Sequence, residues 1–280
     1  MTLMRHVRKV VPSVAALSHR RWLMAPLDVI DRVVNWPWPE ARRLPPNRYR
    51  LRVGVGSRLL FNAFYYRYHA VDFWMHALAT GLITPTSRIL DLGCGCGRYA
   101  VVLRRLNHKG WRFTGRYTGL DIDREMIDWC GRHFPPARFQ FVWANRYSKV
   151  YNAGDTADRA AGYRLPFADG QFDFVFSTSL FTHLLEDDAR NYLAEAHRVL
   201  RPGGRMSMSV FCLDEVRDRL GGRFTFAHRM GPAYVESVKY PEAAVAYERQ
   251  WLFDACAAAG FTDVALTGAT LQQDLVATRG

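Results

Sequence analysis

With 280 residues, 49% hydrophobic and 23% charged, the chain can bury one substantial core and is too balanced for a disordered or fibrous protein. No apolar run approaches the roughly 18 residues of a membrane span, and five cysteines without zinc-ligand spacing argue against a disulfide scaffold and fit a reduced cytoplasm. The net charge of +12 is concentrated at the front: residues 1–60 hold twelve Lys/Arg against Asp28, Asp31 and Glu40, a net +9. Such asymmetry points to an anionic partner or membrane surface for this segment, or to a solvated basic arm. The Arg-rich start has the composition of a transit peptide but no small-residue cleavage pattern.

Residues 1–57 read as a basic N-terminal extension. Val10–Leu17 and Trp22–Val34 are mixed apolar and basic, and predict two short helices. Trp36-Pro-Trp-Pro39 and Leu44-Pro-Pro46 interrupt any continuous helix. Trp36 and Trp38 suit either a lipid headgroup boundary or packing across the domain's own surface. Arg58–Gly81 predicts a helix or helical pair, rich in aromatics (Phe61, Phe64, Tyr65, Tyr66, Tyr68, Phe73, Trp74) and carrying His69 and His76 one heptad apart, with Gly81 as its stop.

From Arg88 onward, strand and helix alternate regularly, which predicts a doubly wound, mostly parallel sheet over residues 58–280. Ile89–Leu92 predicts a buried strand; Gly93, Gly95 and Gly97 a bare turn; Tyr99–Leu106 a helix. Strands follow at Tyr117–Asp123, Phe139–Trp143 and Gln171–Ser177. A helix with acids Glu186–Asp188 in its first turn runs to Leu200. Arg201-Pro-Gly-Gly204 predicts a turn into the strand Met206–Phe211. Residues 213–240, with Gly221-Gly222, Gly231-Pro232, several cations and three aromatics, read as a lid or substrate-recognition insertion. Glu242–Ala259 predicts a helix, and Phe261–Leu266 with Asp274–Thr278 a terminal strand pair.

The glycine turn separates nucleotide-binding classes. Asp91-Leu-Gly93-Cys94-Gly95-Cys96-Gly97 is neither the G-x-G-x-x-G of a dinucleotide fold nor a P-loop, which would need Lys-Ser/Thr. About thirty residues on, Asp121 ends the second strand, where a βαβ unit places a ribose-binding carboxylate. With Leu165-Pro-Phe-Ala-Asp-Gly-Gln-Phe-Asp173 and Arg198-Val-Leu-Arg-Pro-Gly-Gly204, the pattern from Ser87 to Thr278 resembles the class I S-adenosylmethionine-dependent methyltransferases.

That resemblance implies a Rossmann-like seven-stranded sheet whose last strand is antiparallel, with S-adenosylmethionine as cofactor. It implies that Gly93, Cys94, Gly95 and Gly97 pass under the cofactor and that Asp91 receives hydrogen bonds from its ammonium end. Asp121 would clamp the ribose and Ile122 lie against the adenine. Asn145 would contact the adenine amine, although the inserted Arg146–Arg164 departs from the family pattern there, and Ser177 would sit at the methyl-transfer edge. His183 is the leading candidate base, since neutral imidazole near pH 7 accepts a hydroxyl proton; His69, His76 and His228 are alternatives, as is a mechanism with no base.

The spacing of His183, Glu186 and Asp187 is better explained by acids at a helix start than by a metal, and no metal is expected. Asp/Asn-Pro-Pro-Tyr/Phe and Pro-Cys are absent, and no nucleic-acid module is evident. The resemblance therefore implies a hydroxyl of a small molecule, either a secondary metabolite or a sugar or glycan, as methyl acceptor. The alternatives are an RNA or protein substrate read by the basic segment, or a binding protein that does no chemistry. Oligomeric state is not legible. A cytoplasmic enzyme, with peripheral membrane contact as a variant, is the expectation.

Overall fold

The computed structural model describes residues 21–38, 44–53, 62–108, 110–144, 162–216, 224–268 and 271–280. The expected helix Val10–Leu17, Asn145 and the 57/58 boundary fall outside them. In chain order the described elements begin with α1 (Arg21–Val34), α2 (Asn47–Arg50) and α3 (Asn62–Ala79). The alternating part comprises β1 (Arg88–Leu92), α4 (Arg98–Leu103), a small hairpin β2–β3 (Asn107–His108, Trp111–Arg112), β4 (Arg116–Asp121), α5 (Arg124–His133), β5 (Phe139–Trp143), β6 (Phe172–Ser177), α6 (Glu186–Val199) and β7 (Leu200–Cys212). The chain closes with α7 (Leu213–Val216), β8 (His228–Met230), β9 (Ala233–Val235), β10 (Val245–Tyr247), α8 (Arg249–Ala258), β11 (Phe261–Thr267) and β12 (Gln273–Arg279).

Five parallel strands lie in the order β5-β4-β1-β6-β7, and β12 then β11 continue antiparallel beyond β7. This is the seven-stranded core expected from the sequence. Three further strands were not expected: β10 pairs parallel with Phe211–Cys212 of β7, and β9 and β8 follow as an antiparallel ribbon. β7 therefore forks, giving Arg205–Val210 to β12 and its last two residues to β10. The described part of the 213–240 insertion is thus a sheet extension on the side of the strand carboxyl ends.

The expected turn at Arg201–Gly204 is present: Gly203 has a left-handed φ of +70°, a Cβ on Gly204 would lie 2.8 Å from the Arg201 carbonyl oxygen, and these residues bulge out where the register against β6 shifts between Phe172 and Phe174. One other expectation is corrected. Glu242–Ala259 is not one helix: Pro241–Ala243 makes a single 3-10 turn, Val245–Tyr247 is drawn into the sheet, and α8 starts only at Arg249.

Alternation along β1 builds a three-layer body. Ile89 joins Tyr66, Trp74, Tyr99, Tyr117, Phe174 and Phe176 under α3–α5. Leu90 and Leu92 join Val175, Leu193, Met206, Met208 and Leu252 under α6 and α8. Each such side chain contributes about 1.5–3 kcal/mol of gross burial energy. α5 is started by Asp123, whose carboxylate accepts the Met126 amide at 3.2 Å. α6 carries Glu186, Asp187 and Asp188 in its first turn, complementing the helix dipole as expected.

The N-terminal unit docks by polar contacts. On α1, Asp31 forms an ion pair with Arg50 of α2, whose side chain is fully buried, and Asp28 accepts the Asn47 amide at 2.6 Å. Asn35 and Asn47 complete the network. Removing one partner of a buried ion pair costs about 3–5 kcal/mol, because the other charge stays buried alone. Asp31→Ala should therefore speed hydrogen exchange of the α1 amides by at least a hundredfold while the β1–β6 amides keep their protection. Unchanged α1 exchange would show that the pair does not hold the unit.

Candidate active site

Parallel pairing of β1 with β4 puts Asp91 opposite Gly119 and Leu92 opposite Leu120, so Asp91 and Asp121 come to the carboxyl ends of neighbouring strands. Between them, residues 93–97 turn into α4. The Gly93 and Cys94 amides donate to the Leu120 carbonyl at 2.8 and 3.1 Å, and the Gly95 amide donates to Asp121 Oδ2 at 2.7 Å. Asp121 Oδ1 also accepts the Asp123 amide at 2.8 Å. One carboxylate therefore fixes the glycine turn and the start of α5, and each of its oxygens keeps acceptor capacity for one more donor.

Gly95 is obligatory here. Its φ is +52°, and a Cβ would lie 2.5 Å from Val53 Cγ1. The space beside the turn is therefore shared with the chain itself, not bare as the sequence suggested. Val53 rests on Gly95, the Arg98 guanidinium donates to the Val53 carbonyl, and Arg52 bridges Asp123 at 2.7 Å and Glu125 at 3.1 Å. Residues 47–53 form a strap across the start of α5. In the sequence Arg52 was legible only as part of a basic run.

Asp91 is fully buried, and the Tyr117 hydroxyl donates to its Oδ2. Its Oδ1 has no partner. Burial lifts the Asp91 carboxyl to about 8, offset in part by the Tyr117 hydrogen bond. Burial likewise lifts Asp121 to about 6, opposed by the amides that donate to it. An orphaned buried acceptor, a second carboxylate on the adjacent strand and a left-handed glycine turn make a donor-seeking ledge that suits a ligand bearing an ammonium and a diol. The residues thus fit the S-adenosylmethionine implied by the sequence.

The remaining candidates are distributed as follows. Ile122 is half-buried beside this ledge, and its carbonyl accepts the Trp143 indole N–H at 3.0 Å. The Cys94 side chain turns inward against Gly119, which leaves only its backbone at the turn. Ser177 is buried at the end of β6, with its hydroxyl 3.0 Å from Met208 Sδ. His183 closes the short 3-10 turn Phe181–His183 after β6, with Nδ1 2.7 Å from the Glu242 carbonyl. Burial holds its pKa below the ordinary histidine value. His69, His76 and His228 are exposed.

Asp274 was missed by the sequence reading, in which it merely began a strand. It lies opposite Ser209 towards the carboxyl end of β7, with its carboxyl raised chiefly by burial.

Residues 90–208, from within β1 into β7, match the family model described as a methyltransferase domain. The chain is 33% identical over 126 residues to O-methyltransferase resE of Aspergillus sclerotiorum, covering 45% of this chain and 40% of that protein. It is 31% identical over 192 residues to the ubiquinone/menaquinone biosynthesis C-methyltransferase UbiE of Desulfotalea psychrophila, covering 63% and 66%. It spans between 35% and 48% of the first four curated relatives it matches. Among solved structures, the PH0226 protein of Pyrococcus horikoshii shares the fold, with a TM-score of 0.53 at 19% identity over 76% of this chain and 91% of that one. Residues 90–208, with their glycine turn held by the carboxylate of the neighbouring strand, thus match a methyltransferase domain of Rossmann-like fold.

Proposed function

We propose that the protein transfers the methyl group of S-adenosylmethionine to a hydroxyl of a small molecule. The observation that carries this reading is the pair of strand-end carboxylates around the glycine turn, with Asp91 Oδ1 unpartnered. The O-methyltransferase relatives support the hydroxyl acceptor.

The cofactor supplies an electrophilic methyl group, so the protein's task is alignment and exclusion of water. Asp121 accepts the ribose hydroxyls and Asp91 the ammonium group. Ile122 lies against the adenine, and Asn145, outside the described residues, is assigned to its amine. The backbone at Gly93, Cys94, Gly95 and Gly97 lies beneath, Ser177 borders the transfer edge, and the Arg52–Val53 strap walls the ledge. His183 is assigned as base: its Nδ1–H donates to the Glu242 carbonyl, which makes Nε2 the acceptor nitrogen, and burial keeps the ring neutral at pH 7.

Replacing Asp121 by Ala removes charge-assisted hydrogen bonds worth about 2–3 kcal/mol, so the Kd for S-adenosylhomocysteine measured by calorimetry should rise roughly 30- to 150-fold. An unchanged Kd would refute the ribose assignment. His183→Ala should lower kcat on a hydroxyl acceptor by roughly a hundredfold or more and remove the acidic limb of its pH profile, with that Kd unaltered. A retained pH limb would refute the base.

Both carboxyls titrate above their unfolded value of 3.8, so between about pH 4 and 8 the folded ligand-free protein holds more protons than the unfolded chain. Its stability therefore falls as pH rises through that window. A ligand that donates to both groups favours their ionised forms, so affinity for S-adenosylhomocysteine should rise from pH 5.5 to 7.5. Asp91→Asn should flatten most of that rise; a wild-type Kd independent of pH would overturn the argument.

A further inference from the structure

α1 is amphipathic in the reverse of the usual sense. Met24, Asp28, Asp31 and Asn35, at helical spacing, turn towards the protein, and three of the four are polar. On the opposite side Trp22, Val29 and Val33 are 71%, 59% and 68% exposed, flanked by exposed Ile30 and Val34. Just beyond the helix, Trp36 and Trp38 are 65% and 57% exposed. A surface helix ordinarily buries its apolar stripe and shows its polar one. Here the Asp31–Arg50 pair and the Asp28–Asn47 contact hold the polar stripe inward, so seven large apolar side chains within 17 residues face out together. A contiguous patch of this kind marks a binding surface.

Charge identifies the occupant. Arg32, on the flank of the stripe, also lines a cleft of about 430 Å³ that runs between α1 and the α4–α5 side, where Arg105 and Arg132 meet it. Arg5, Arg8, Lys9 and Arg20 precede the helix in sequence. Apolar side chains with tryptophans at the rim, next to a basic cluster, match the boundary between headgroup and acyl chain of an anionic bilayer. A second copy of this chain would bring the same net +9 of residues 1–60 against itself, which opposes pairing through this face.

We infer that the outward face of α1 docks on an anionic phospholipid surface, with Trp22, Val29, Val33, Trp36 and Trp38 at the acyl boundary and lipid phosphates over Arg32, Arg105 and Arg132. The docking does not depend on which methyl acceptor the enzyme uses.

The test is flotation of the full chain with vesicles of phosphatidylcholine containing roughly one-third phosphatidylglycerol, against vesicles of phosphatidylcholine alone. The expected result is binding to the anionic vesicles, weaker by about tenfold on the neutral ones and in about 0.5 M salt. Val29→Asp with Val33→Asp should reduce it by a further factor of about ten or more. Arg32→Glu with Arg105→Glu should abolish the preference for the anionic lipid. Circular dichroism and the Kd for S-adenosylhomocysteine, unchanged in both variants, would show that the fold and the cofactor site are intact. Absence of wild-type binding, or equal binding by the aspartate variant, would overturn the inference. So would a wild-type dimer that the aspartate variant disperses without any vesicle binding, since the face would then belong to a second copy.

Discussion

The site depends on one hydrogen bond, from the Gly95 amide to the Asp121 carboxylate, and on the parallel register that makes it possible. The bond joins the turn after β1 to the tip of β4, two segments that no local interaction brings together. Because the same carboxylate accepts the Asp123 amide, it also sets where α5 begins. A half-buried carboxylate satisfied by backbone donors is held in one orientation, and its remaining lone pairs are thereby aimed at whatever lies on the ledge. The side chain that organises the loop is thus also the one assigned to the ribose.

The cost of this arrangement is seen in Asp91. Buried with one oxygen unpartnered, it keeps its proton more readily than an exposed aspartate would. A group of this kind contributes little to stability, and under the proposed function the bound ligand supplies the missing donor. Tyr117, which donates to the other oxygen, fixes the carboxyl in place from the neighbouring strand. The two acids therefore have different duties: Asp121 builds the loop, and Asp91 waits within it.

Much of this was legible in the sequence, for physical reasons that also explain the failures. β1, β4, β5 and β6 are short, largely apolar runs, the first two ended by Gly93 and Asp121, and buried parallel strands leave that signature. The segment Val245–Tyr247 could not be told from a helix start, because only pairing with the tip of β7 on one side and β9 on the other makes it a strand. Arg201-Pro-Gly-Gly204 was readable as a turn, because Gly203 takes the left-handed φ that glycine allows. Within the site, Asp121 and the glycines were readable from spacing. The strap was not, since Arg52 reaches Asp123 across 71 residues of sequence. Nor was the orientation of α1, because a mixed helix does not declare which stripe faces inward until its buried partner, Arg50, is known.

The N-terminal unit links these features into one mechanical path. Asp31 holds Arg50, Arg50 belongs to the short helix Asn47–Arg50, and two residues later Arg52 and Val53 rest on α5 and on Gly95. A load on the outer stripe of α1 therefore has a continuous set of buried or half-buried contacts through which to reach the cofactor ledge. Whether the stripe is occupied changes the free energy of the strap only if the occupied and free states differ in strap position, since a ligand shifts an equilibrium by no more than its differential affinity for the two states. The strap meets the ledge through one methyl contact, one carbonyl and two carboxylates, all at its far end, so a small displacement there would break several bonds together. That concentration of contacts is what would make the segment respond as a unit.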